Sequence, residues 1–156
     1  MPAPKPTLSK RHLPRRLRKL IGGWTVEGQF VGGDEVLDVR GSATCSWLVE
    51  DALAVWRERS TVAPKAVSVM GADDNQDAFT ILYSDERGVV RRLEMTLTAH
   101  RWTWTRRVPG FSQRFVGRIS PNGRVIRVTC DKSADGRRWM RDFNLTYKKR
   151  RSSRTV

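Results

Sequence analysis

The sequence predicts an all-β protein whose strands form an antiparallel up-and-down barrel of eight to ten strands. From residue 24 onward, apolar residues recur with a period of two, in short runs rich in Val, Thr, Phe and Trp. Turn residues separate these runs at short intervals, and no helical crossover lies between them. Sequential strands should therefore pair as neighbours, and closure into a barrel removes the two open edges that such a meander would leave.

The alternation places ten strands along the chain. Four short motifs that contain glycine are expected to form the tightest turns, since Asn-Gly and Asp-Gly sequences supply the positive φ that tight turns need. These motifs are DERG (85–88), PG (109–110), SPNG (120–123) and SADG (133–136). The strands are expected near 23–30, 41–49, 52–59, 65–70, 77–84, 88–97, 100–107, 111–119, 124–130 and 137–147.

We expect the chain to divide into a disordered basic arm (1–12), a barrel domain (13–149) and a basic tail (150–156). The barrel domain begins with a short amphipathic helix in LPRRLRKLIGG. Pro14 suits a first helical turn, and the residues on one face are apolar: Leu13, Leu17, Leu20 and Ile21. We expect this face to plug the barrel core. The alternative is that the basic helix lies on an anionic membrane.

The basic residues are concentrated at the two ends of the chain. Of the thirty Lys and Arg, twelve lie in residues 1–22 and 148–156, where there is no acidic residue. The eighteen others are matched by all sixteen Asp and Glu, so the middle has a net charge of only +2. We therefore assign any weak, nonspecific contact with nucleic acid or anionic lipid to the termini.

Other sequence features favour a cytoplasmic protein. No stretch approaches the ~20 apolar residues of a membrane-spanning helix, and the start of the chain has no apolar signal segment. Cys45 and Cys130 have no second Cys or His at metal-ligand spacing, so we interpret both as small buried residues and expect no metal site.

The segment HRWTWTRR (100–107) has two interpretations, an exposed stacking platform for nucleic acid or the inner wall of a pocket. Alternation puts His100, Trp102, Trp104 and Arg106 on one face and the neighbouring Arg101 and Thr103 on the other. A stacking surface would carry its basic residues beside the rings. The sequence therefore predicts that the two tryptophans face the barrel interior.

The same alternation predicts a site for a small apolar ligand. Its wall would be Trp47, Met95, Trp102, Trp104 and Phe115, and its polar contacts Tyr83, His100 and Gln113. Arg91, Trp139 and Arg141 are also expected on inward faces. Eight strands would leave room for one small ligand at most, whereas ten would leave more.

Several segments resemble known barrels. LIGGWTVEG (20–28) resembles the Gly-x-Trp opening of lipocalin-like proteins. The segments that follow resemble an uncharacterised bacterial family of calycin-type domains: GSATCSWL, FTILYSDERGVVR, PGFSQRFVGRISPNG and SADGRRWMRDFNLTYKKR. The resemblance implies a lipocalin-like barrel, and it implies no particular activity because the family has no agreed one.

Nitrobindins are distantly similar barrels that bind haem through a histidine in a late strand. This chain departs from that pattern, because its histidines are His12 and His100 and residues 111–147 contain none. His100 would be the one conceivable axial ligand, so we expect no cofactor.

Catalytic motifs are sparse. The sequence has no Gly-x-Ser-x-Gly elbow, phosphate loop or recognisable Cys-His pair, so a binding function is favoured over an enzymatic one. The alternative is an enzyme of the cyclase or isomerase kind that shapes a hydrophobic substrate, with His100 and Tyr83 as acid and base. We expect a monomer or a homodimer.

Overall fold

The computed structural model describes residues 1–2, 13–73 and 77–151, which form ten β-strands and one short helix. The predicted arm and tail lie largely outside these residues. The strands, numbered in chain order, are β1 (Gly22–Phe30), β2 (Leu37–Val49), β3 (Leu53–Ser60), β4 (Ala66–Ala72), β5 (Phe79–Asp85), β6 (Val90–Leu97), β7 (Arg101–Arg106), β8 (Ser112–Ile119), β9 (Val125–Ser133) and β10 (Met140–Lys149).

The strands form a closed antiparallel barrel of up-and-down topology. Each strand pairs with its neighbours in the chain, and β1 pairs with β10 to complete the circle. The prediction of an all-β antiparallel barrel is confirmed, at the upper limit of the predicted strand number. The strand β2 begins at Leu37 rather than 41, because Leu37 to Arg40 continue the pairing with β1.

The N-terminal helix is shorter than the sequence predicts. It is a 3-10 helix of six residues, Pro14–Lys19, and β1 starts three residues after its end. Its apolar side chains nevertheless enter the core, since Leu17 and Leu20 have no exposed surface. The Arg18 guanidinium binds the Asp51 carboxylate in the β2–β3 connection at 2.5 Å. The helix therefore fills the end of the barrel that carries this connection, which we call the closed end.

The opposite end, which we call the open end, carries the connections β1–β2, β3–β4, β5–β6, β7–β8 and β9–β10. Turns at both ends use glycines with positive φ where the sequence predicts tight turns, as at Gly123 (72°) in β8–β9 and Gly136 (74°) in β9–β10. None of the helical structure in the described ranges is long and apolar enough to cross a bilayer.

Both cysteines are buried and free, as predicted. Burial raises the pKa of Cys45 to about 12, so its thiol stays protonated at neutral pH. A protonated, inaccessible thiol is a poor nucleophile, and both residues therefore act as small core side chains.

Candidate functional site

A cavity of about 370 Å³ lies inside the barrel. Its mouth is formed by residues from three connections at the open end, namely Ala63 and Pro64, Arg87, and Phe111. Below the mouth the lining is mostly apolar and aromatic, with side chains from almost every strand. The core thus fills the closed end and leaves the open end hollow.

One wall of this cavity is an array of aromatic rings on β7 and β8. Trp104 stacks on Phe115 with 4.4 Å between ring centroids and 16° between ring planes. Trp102 meets the same phenylalanine edge-on at 5.0 Å. Both tryptophans line the cavity, so they face inward as the alternation predicts. The interpretation as an exposed stacking platform is thereby excluded for these two rings.

The structure brings five of the eight sequence-predicted site residues to the cavity and leaves three elsewhere. Tyr83, Trp102, Trp104, Gln113 and Phe115 line it. Met95 is fully buried in the solid part of the core, and Trp47 is half-buried near the end of β2, packed against the core edge.

His100 is exposed in the β6–β7 connection at the closed end, so the prediction that it faces inward is wrong. The physical reason is that β7 begins only at Arg101, and strand alternation says nothing about a residue in the turn before it. No histidine among the described residues reaches the cavity.

Two further inward predictions fail in β10. Trp139 lies before the strand, on the outside of the barrel. The Arg114 guanidinium packs over it, 4.2 Å from the centroid of the Trp139 ring. Arg141 is exposed and binds the Asp131 carboxylate at 2.7 Å. The pairing of β10 with β9 shifts register between Arg141 and Phe143, so the side chains before the shift face the opposite side of the sheet from the one expected. Alternation counted back from Phe143 therefore predicts an inward direction for side chains that face outward.

An inward-facing carboxyl group with one buried oxygen is the most unusual feature of the cavity. The Glu58 side chain projects inward from β3, and its Oε1 atom is buried without a hydrogen-bond partner among the described residues. Burial raises the pKa of Glu58, and the nearby Tyr147 hydroxyl and Trp56 indole N–H offset this effect in part. Burial of the Tyr147 hydroxyl, together with the adjacent charge of Glu58, holds the pKa of Tyr147 well above its usual value.

Sequence reasoning missed Glu58, Trp56 and Tyr147. The available signal was the alternation of LAVWRERS in β3, where Ala54, Trp56 and Glu58 share one face and Arg57 lies on the other. An acid on the aromatic face of a strand is a costly placement, and such placements mark candidate sites.

The open end has its own polar group. The Tyr83 hydroxyl donates to Asp85 Oδ2 at 2.7 Å, and Arg87 Nη2 binds the same oxygen at 2.8 Å. Burial and the Asp85 carboxylate raise the pKa of Tyr83 to about 12. The Arg91 guanidinium lies 4.9 Å from the Phe111 ring centroid, where it flanks the cavity.

The acid and base considered for an enzyme do not meet. His100 is at the closed end and outside the barrel, whereas the Tyr83 proton is engaged by Asp85 at the open end. The structure offers no support for a reaction that uses these two residues together.

No protein-family model and no curated protein matches the sequence. Solved structures do match the fold. The crystal structure of Rv2717c from M. tuberculosis aligns with a TM-score of 0.68 at 8% identity, covering 89% of this chain and 98% of that one. The S-type phycobiliprotein lyase CPES from Guillardia theta aligns with a TM-score of 0.63 at 9% identity, covering 97% of this chain and 100% of that one.

Identities this low show the fold alone. The finer resemblance to nitrobindins is tested by neither structure and stays a prediction. Both likenesses agree with the closed antiparallel barrel of ten strands that this chain forms.

Proposed function

We propose that this protein binds a small, largely apolar ligand inside its barrel. The observation that carries the proposal is the cavity of about 370 Å³ lined by aromatic and aliphatic side chains. Sites for small molecules are typically concave and apolar, with volumes of about 300–1,000 Å³ and a few polar groups that orient the ligand. This cavity has all of these properties, and its polar groups include Gln113, Tyr83 and Glu58.

The division of the barrel into a filled and a hollow end further supports this proposal. Protein interiors normally pack to the density of organic crystals, so an apolar space of this size is unusual in a core that has no ligand to hold. The similarity in fold to a phycobiliprotein lyase agrees with a barrel that accommodates a small molecule, although the identity of 9% carries no ligand over to this chain.

The experiment is native mass spectrometry of protein purified from its own host, combined with displacement of a fluorescent fatty-acyl probe. We expect a bound species that disappears on denaturation, or a probe that binds and is displaced by apolar competitors. Absence of both a bound species and probe binding would mean that the barrel is closed to ligands, and the proposal would be wrong.

A second candidate function rests on the outside of the barrel. Arg101, Arg118 and Arg127 lie directly opposite one another on β7, β8 and β9, and all three are exposed. No ion pair involves them among the described residues. Like charges directly opposite across strands are destabilising, and a row of them is complementary to the phosphates of a nucleic acid. We propose that this row, with the basic termini, provides nonspecific nucleic-acid binding.

The test replaces all three arginines by glutamine in the full-length chain and measures duplex DNA binding at several salt concentrations. The log-log slope should become less steep by about 0.9 for each phosphate that the variant no longer neutralises. The matched control removes the same charge elsewhere, by Arg107→Gln, Arg137→Gln and Arg138→Gln at the open end. Equal weakening in both variants would assign the binding to net charge, and no weakening in either would assign it to the termini, as the sequence predicts.

A further inference from the structure

We propose that the inner end of the cavity recognises a protonated amine on the ligand, with Glu58 as its counter-ion and the rings of Trp56, Trp102 and Tyr147 around it. This inference rests on the proposed function and adds the chemical class of the ligand: an apolar, ring-bearing amine.

The carboxyl group of Glu58 faces the cavity. Glu58 shares the inward face of β3 with Trp56, and both line the cavity. Its Oε1 atom is buried and has no hydrogen-bond partner in the described part of the chain. Buried carboxyl groups are costly and normally occur with a partner. The Tyr147 hydroxyl and the Trp56 indole N–H act on the carboxyl group, and its Oε1 atom is left to accept a hydrogen bond from a ligand in the cavity.

Few other charged groups face the same cavity. The basic residues are Arg87 and Arg91, and Arg87 is already bound to Asp85 at 2.8 Å. Arg91 lies against the Phe111 ring at the mouth. The other acid, Asp142, is bound to Lys132 at 3.4 Å. Glu58 also borders a second groove, whose basic residues are Arg57, Arg59, Lys65 and Arg150, and none of them forms an ion pair with it in the described part of the chain. A positive charge on the ligand would complete the pair.

Three aromatic rings of the cavity lining lie against one another. The ring centroids of Trp56 and Trp102 are 5.1 Å apart with 53° between planes, and Tyr147 meets Trp56 at 5.5 Å and 75°. At these distances the three rings pack against one another in one tilted cluster, and the electron-rich faces of Trp and Tyr attract organic cations where they border the cavity. A carboxylate beside such a cluster attracts an ammonium group more strongly than it attracts a neutral group of the same shape.

Two other features extend the description of the ligand. The indole Nε1 of Trp102 is buried without a partner among the described residues, so it can donate to an acceptor atom on the ligand. The stacked Trp104 and Phe115 present a flat apolar wall along the same cavity. The ligand thus combines an ammonium group, a hydrogen-bond acceptor and a planar apolar body.

The test compares 2-(1-naphthyl)ethylamine with its neutral isostere 2-(1-naphthyl)ethanol, using quenching of tryptophan fluorescence. We expect the wild-type protein to bind the amine at least about tenfold more tightly, as is typical of a desolvated charge pair. In Glu58→Gln, which keeps the shape of the side chain, the preference should disappear while the alcohol binds as before. The matched control is Asp142→Asn, which removes the other cavity acid and should leave the preference unchanged.

A second readout is the number of protons exchanged on binding. Burial raises the pKa of Glu58, and pairing with an ammonium group favours its carboxylate form, so amine binding should be accompanied by proton release in the pH range in which the free group titrates. Amine affinity should therefore rise with pH through the Glu58 titration, whereas alcohol affinity should not. Tyr83, Tyr147 and Asp142 also face the cavity, and the Glu58→Gln variant separates their titration from that of Glu58.

Equal binding of amine and alcohol by the wild-type protein would overturn this inference and leave the proposed function intact. Persistence of the amine preference in Glu58→Gln would also overturn it. Failure of both probes and of the fatty-acyl probe to bind would instead contradict the proposed function itself.

Discussion

Gly28 is the position in β1 where the barrel tolerates no side chain. A Cβ atom added there would lie 2.0 Å from the Asn144 carbonyl oxygen on β10, far inside contact distance. Because the obstructing atom belongs to the backbone, no side-chain rotation can relieve the clash. We predict that Gly28→Ala lowers the free energy of unfolding by roughly 2–3 kcal/mol or more, measured by urea denaturation.

Gly33 provides the matched control for this substitution. It lies in the β1–β2 connection, and a Cβ added there would meet nothing within 4 Å. Gly33→Ala should therefore change stability by less than about 0.5 kcal/mol. A Gly28→Ala protein as stable as the Gly33→Ala protein would show that β1 and β10 do not approach as closely as described.

The position of His100 gives a prediction about haem. An imidazole can ligate iron only if it reaches the site where the porphyrin lies, and His100 is exposed at the closed end, on the other side of the filled core. We predict that hemin added to the protein gives no Soret shift that depends on His100. A histidine-ligated Soret band in the wild-type protein that is lost in His100→Ala would contradict this prediction.

The β5–β6 turn supports the mouth of the cavity. The hydrogen bonds from Arg87, together with that from Tyr83, hold the pKa of Asp85 well below its usual range. A lowered pKa in the folded state stabilises the protein above the unfolded-state value of about 3.9, and this contribution is lost as the pH falls toward the folded-state pKa.

We therefore predict that Asp85→Asn is less stable than the wild type at pH 7 and that the difference shrinks progressively below about pH 4. Urea midpoints measured at several pH values would check this. Asp34→Asn, in the exposed β1–β2 connection, is the control and should follow the wild-type curve. A difference between Asp85→Asn and wild type that stayed constant down to pH 2 would show that the carboxylate is not the stabilising group.

Strand positions were predictable because period-two alternation and Gly turns are local signals. Trp102, Trp104 and Phe115 face the cavity because alternation holds within regular strands. The same rule failed at His100, which precedes its strand, and at Trp139 and Arg141, where the register of β10 shifts. Bulges and exact strand ends depend on pairing between strands, which a single sequence does not display.

The polar part of the site was harder to predict than its wall. The sequence places Glu58 on an inward face as an acid. Whether its Oε1 atom finds a hydrogen-bond partner depends on which side chains from β7 and β10 surround it, and a single sequence does not show these neighbours. The short 3-10 helix was also unpredictable in length, because the start of β1 at Gly22 leaves the chain no room for further turns. Tertiary context decides both features.

The two ends of the barrel differ in how densely they are packed. The closed end is packed solid by Leu17 and Leu20 of the helix segment, which have no exposed surface. The open end keeps a cavity of about 370 Å³. The filled end contributes stability and the hollow end provides a binding site. We therefore expect substitutions in the helix to change mainly stability and substitutions in the cavity to change mainly ligand binding.

Blocking the cavity shows whether the ligand binds inside the barrel. Ser68 on β4 lines the cavity, whereas its neighbour Val67 is 40% exposed on the outer face. Binding of the fluorescent fatty-acyl probe would be titrated in the wild type, in Ser68→Trp and in Val67→Trp, after circular dichroism has shown that each is folded. We predict that Ser68→Trp loses the probe and that Val67→Trp binds it as the wild type does. Undiminished binding by a folded Ser68→Trp protein would place the ligand outside the barrel and contradict the proposed function.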